Sequence, residues 1–61
     1  MSDERYYLDR VQYAIAHGKR YEAIIGIAEY QGYIKALVAC GHKPDQEIKE
    51  AIEMEFRKVK A

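Results

Sequence analysis

Cys40 is the only cysteine in the chain, so an internal disulfide is excluded. Ser2 is the only serine and threonine is absent, which leaves no mid-chain hydroxyl of that kind to act as a nucleophile. Net charge is also missing: ten basic and ten acidic side chains cancel. That balance argues against a nucleic-acid partner held mainly by charge. No long apolar run survives inspection, because Glu22, Glu29, Gln31 and Lys35 interrupt the most hydrophobic stretch. A membrane span is therefore not expected. The opening residues are polar and acidic with no apolar segment behind them, so no signal peptide is expected. An unpaired thiol without a leader suits a reducing, cytoplasmic compartment.

What remains is short. Sixty-one residues read as a single helical domain, 1–61. A chain of this size buries only about 60% of its unfolded surface. Without a disulfide or an evident metal site, oligomerisation is the remaining way to stabilise it. Tyrosine dominates the aromatics, with six against one phenylalanine and no tryptophan. Its apolar body and polar tip favour half-buried and interfacial positions.

Periodicity gives three helices and no strand. The first runs from about 3 to 17. Ser2 offers an N-cap, Asp3 and Glu4 suit the positive first turn, and Leu8, Val11 and Ile15 recur at helical spacing. Gly18 reads as its stop. The second helix spans about 20–40 and begins without a capping residue, since Lys19 and Arg20 stand where the dipole disfavours cations. One bent helix over 3–40 is the competing reading. Gly41 closes the second helix, and the third covers about 44–59 with Pro44 in its first turn. Pro44, Ile48, Ile52, Phe56 and Val59 form its apolar stripe, while Met54 faces the other way. Asp45–Lys49 and Glu53–Arg57 are spaced as i,i+4 ion pairs. The run Gly18–Ile24 resembles the turn of a tetratricopeptide hairpin. The family's Trp and Leu-Gly are absent, and there is no second repeat. The likeness implies an antiparallel hairpin and nothing about function.

The central helix is apolar on two sides, whereas a surface helix ordinarily buries one stripe. At about 100° per residue, Ala23, Ile27, Tyr30, Ile34, Leu37 and Val38 fall on one side. Tyr21, Ile25, Ala28, Gly32, Ala36 and Ala39 fall on the other. Glu22, Gly26 and Glu29 lie on one seam between them, Gln31 and Lys35 on the other. The first stripe is bulky and suits a core. The second carries Ala28, Gly32 and Ala36 four residues apart, and such a ladder lets two backbones approach closely. Another helix of the same chain or a second copy could fill that role. A mid-helix glycine costs about 0.5–1 kcal/mol against alanine, so a close contact at Gly32 would account for its presence.

No constellation reaches catalytic or metal-binding grade. His17 and His42 flank the central helix, roughly 30 Å apart at 1.5 Å per residue. Cys40 and His42 make a Cys-x-His pair, but a zinc site needs two more ligands and none is close in sequence. A Cys–His nucleophile would also need an orienting group, an oxyanion hole and a pocket of several hundred cubic ångströms, for which so short a chain leaves little room. Gly18-Lys19 lacks the upstream glycine and following hydroxyl of a phosphate loop. The first half of the third helix is mainly acidic, a poor face for DNA.

These readings converge on an all-α protein: an antiparallel helical hairpin with a third amphipathic helix, paired as a helical-bundle homodimer. Ile25, Ala28, Gly32, Ala36 and Ala39 are the expected dimer contact. Tyr6, Arg10, Tyr13 and Tyr33 are the expected contact with another protein. The functional expectation is a non-enzymatic adaptor or inhibitor, a phage-type inhibitor of a host protein being one sub-class, with no cofactor. A small DNA-binding regulator is the alternative.

Overall fold

Two glycines end two helices in the same way. The computed structural model describes residues 3–60 and contains α1 (Asp3–Ala16), α2 (Arg20–Ala39) and α3 (Gln46–Lys60). At Gly18, φ is 69°; its N–H reaches the Ile15 carbonyl and the Lys19 N–H reaches that of Ala14. At Gly41, φ is 84°; its N–H reaches Val38 and that of His42 reaches Leu37. Both are Schellman closures, which need the left-handed backbone that glycine adopts without a Cβ penalty. The Gly18 closure separates α1 from α2, so the bent-helix reading is excluded. The expected N-cap Ser2 lies outside the described residues.

The start of α2 carries no side-chain cap, as its sequence implied. The start of α3 differs from expectation. Asp45, not Pro44, marks the boundary: its carboxylate accepts the N–H groups of Glu47 at 3.0 Å and Ile48 at 3.3 Å. Pro44 sits just outside the helix. With its carboxylate so engaged, Asp45 forms no ion pair with Lys49, and Glu53–Arg57 does not close either. The ion pair within α3 joins Lys58 to Glu55 instead.

Cross-helix partners fix the topology. Val11 meets Gly26, Arg10 bonds Glu29, and Tyr7 meets Tyr30 and Tyr33. Numbers fall along α1 as they rise along α2, so these helices are antiparallel. Glu4 meets Asp45 at one end, and Ile15 and Val59 share a small hollow at the other. Thus α3 runs parallel to α1. α1 packs extensively on α2 and on α3, while α2 and α3 meet more sparingly.

The core draws evenly on all three helices. Leu8, Val11 and Ala14 come from α1, Ala23, Ile27 and Tyr30 from α2, and Ile48, Ile52 and Val59 from α3. Removing such side chains from water is the main favourable term in folding, about 1.5–3 kcal/mol for each large one. Two carboxylates are buried with them. Glu4 accepts the Asp45 N–H at 2.8 Å, and Glu55 accepts from Lys58 Nζ at 3.2 Å.

Three positions of α2 depart from the stripe reading. Gly26, expected on a polar seam, is buried, because Val11 of α1 occupies the space above it. Gly32, expected in close contact, has no protein atom within 4 Å of where its Cβ would stand. Val38, expected in the core, is exposed because it lies at the edge of the stripe near the helix end.

Candidate protein-interaction surfaces

The outer side of α2 is left uncovered by the chain. Ala28, Gly32, Ala36 and Ala39 are exposed there, with Tyr21 at 75% and Ile25 at 39%. Ile24, which belongs to neither stripe, extends the open face at 41%. α1 and α3 pack against other faces of α2 and leave these residues exposed. The residues expected to form a dimer contact are thus brought together on one accessible strip.

That strip continues into a groove between α2 and α3 of about 520 Å³. Ile27, Tyr30, Ile34, Ile52 and Phe56 give it an apolar lining, and Gln31, Lys35, Lys49 and Glu53 add polar groups. The chain was expected to leave little room for a pocket, yet a groove of this size lies where α2 and α3 meet sparingly. Cys40 and His42 do not line it, so it supplies no pocket for that pair. Among the described residues, neither lysine belongs to an ion pair.

Tyr30 lines the same groove and is 4% exposed, yet its hydroxyl has no hydrogen-bond partner. Burial of the phenol, reinforced by the carboxylates of Glu4, Asp45 and Glu53, pushes its pKa up to about 12. The group remains a protonated donor at neutral pH. Buried donors are normally satisfied, so this one is an exception within the core.

The tyrosine surface lies elsewhere. Tyr6, Arg10 and Tyr13 follow one another along one face of α1. Tyr6 and Tyr13 are each 58% exposed. Tyr13 stacks on His17 with centroids 4.0 Å apart, and the imidazole Nδ1 lies 2.9 Å from the Tyr13 carbonyl. Half-buried Tyr7, absent from the expected set, ties the cluster together. Its ring lies 5.5 Å from Tyr6, 6.0 Å from Tyr30 and 5.4 Å from Tyr33. Its position one residue after Tyr6, turned toward the core, was the available signal.

Two expected contact residues are partly committed within the chain. Arg10 donates to Glu29 across the α1–α2 interface, which raises its pKa further above the ordinary value. Tyr33 is half-buried against Tyr7, and desolvation with nearby Asp3 and Glu4 raises its phenol pKa. Tyr6 and Tyr13 are the more available pair.

Among the described residues, no group of three or more His, Cys, Asp or Glu is placed to hold a metal ion. No helix among them is long and apolar enough to cross a membrane. Comparisons with protein-family models, curated proteins and solved structures found no match.

Proposed function

We propose that this protein is a small protein–protein interaction module, a homodimer that acts as an adaptor or inhibitor by occupying a surface on another protein. The open outer side of α2 carries this reading. Tyr21, Ile24, Ile25 and the Ala28–Gly32–Ala36 ladder form an apolar strip that no helix of the same chain covers. Exposed apolar strips of this kind mark association surfaces. Tyr6 and Tyr13 on α1 supply a second surface with the composition of an interface, separate from the strip. The two surfaces divide the work: α2 joins the copies, and α1 meets the target.

Two measurements test the reading. The chain should sediment as a dimer at micromolar concentration. Affinity capture from the native host should retain a specific protein that is lost with the Tyr6→Ala/Tyr13→Ala variant. A monomer removes the dimer, and capture unaffected by the tyrosine changes removes the α1 surface.

A further inference from the structure

We propose that two copies pair side by side with their α2 helices parallel, each α2 lying along the mouth of the other's α2–α3 groove. This rests on the homodimer reading above and adds its direction and its recognition chemistry.

The first support is the open groove. Its half-buried Ile34 and Phe56 are apolar surface that no part of the chain covers completely. The groove wall also includes Ala28 and Gly32, so the strip and the groove form one continuous apolar surface. Nothing stands within 4 Å of a Cβ at Gly32, and a second backbone can approach there.

Charge identifies the occupant and its direction. The strip on α2 has unlike flanks. On the α3 side lies Lys35, and the groove there also carries Lys49 and the carboxylate of Glu53; neither lysine is ion-paired. On the α1 side lie Glu22 and Glu29. Glu22 has only a 4.0 Å contact with Lys19, and Glu29 keeps acceptor capacity beyond its bond to Arg10. Lys35 on this flank therefore suits an apolar helix with an acidic flank, and α2 of a second copy is such a helix.

A two-fold axis running along the helices sets the lysine flank of one copy against the glutamate flank of the other. Lys35 and the partner copy's Glu29 are then six residues apart, about 9 Å along the axis, which two long side chains can span. A two-fold axis perpendicular to the helices places lysine flank against lysine flank and acid against acid. Like charges so placed oppose association. The parallel arrangement is the one the charges favour.

Cysteine crosslinking reads the direction. In a Cys40→Ser background, Ala28→Cys and Ala36→Cys are made singly, checked for helicity, and oxidised. In a parallel pair every ladder residue faces its own counterpart, so both variants should form disulfide-linked dimers. In an antiparallel pair only one position can lie at the two-fold, so at most one variant links. A dimer by light scattering with one or neither variant linking overturns the parallel pairing but leaves the homodimer intact. A monomeric parent chain overturns both. Lys35→Glu should raise the dimer dissociation constant roughly tenfold, and an unchanged constant overturns the proposed charge pairing.

Discussion

A Cβ added at Gly26 would stand 3.1 Å from Cγ2 of Val11, a side chain with no solvent exposure. α1 and α2 lie close together here, and Val11 occupies the space that a larger residue at 26 would need. Six residues further along the same helix, Gly32 meets nothing.

The two glycines should respond oppositely to substitution. Gly26→Leu forces its side chain into Val11 and should destabilise the fold by about 1–3 kcal/mol or more. Gly32→Ala relieves a helix-interior glycine without a clash and should stabilise it by about 0.5–1 kcal/mol. Urea denaturation at a dilution where the chain is monomeric separates these effects from association. Stabilisation by Gly26→Leu would contradict the close approach.

Glu4 joins the first turn of α1 to the start of α3 across 41 residues of sequence. Glu4→Ala leaves the Asp45 N–H without its acceptor and should cost about 1–3 kcal/mol. Glu4→Gln keeps an acceptor oxygen and should cost less. Amide hydrogen exchange at Asp45 should quicken in the alanine variant and change little in the glutamine variant.

Asp45 performs a second task as the α3 cap, accepting from Glu47 and Ile48. Asp45→Ala should lower stability by about 0.5–2 kcal/mol, while Asp45→Asn restores most of the loss. Thermal unfolding followed by circular dichroism measures both. Equal losses in the two variants would show that capping is not the cause.

Tyr30 should behave as a buried donor left unsatisfied. Tyr30→Phe removes that hydroxyl and should be neutral or stabilising by up to about 1 kcal/mol. The phenol also predicts a pH dependence. Its folded pKa, pushed up to about 12, exceeds the ordinary value of 10.0. The associated stability is therefore fully present below pH 10 and is lost as pH rises through the folded pKa. Ultraviolet titration should show a late-ionising tyrosine, titrating near pH 12, that disappears in Tyr30→Phe. The alkaline loss of stability should shrink in the same variant.

Much of the architecture was legible because helices announce themselves locally. Gly18 and Gly41 marked two ends, and the helix limits agree with expectation to within one or two residues. Ile48, Ile52 and Val59 are buried, and Met54 is exposed, as the period of α3 required. The small-residue ladder was also legible as a strip. Its role in the fold was not, because a helical period gives an angle around an axis and does not say what lies at that angle. Glu4 shows the same limit: its first-turn position suited the helix dipole, but its partner is a backbone N–H on another helix.

The sequence by itself determined three helices, their ends, and a central helix apolar on two sides, since propensity, capping and periodicity act over a few residues. Only the tertiary structure decided what lies against each side. Packing α1 and α3 against α2 buried Ala23, Ile27 and Tyr30, placed Gly26 under Val11, and left Gly32 open. That choice depends on how three helix faces fit together in space, a relation between distant residues that no local pattern contains.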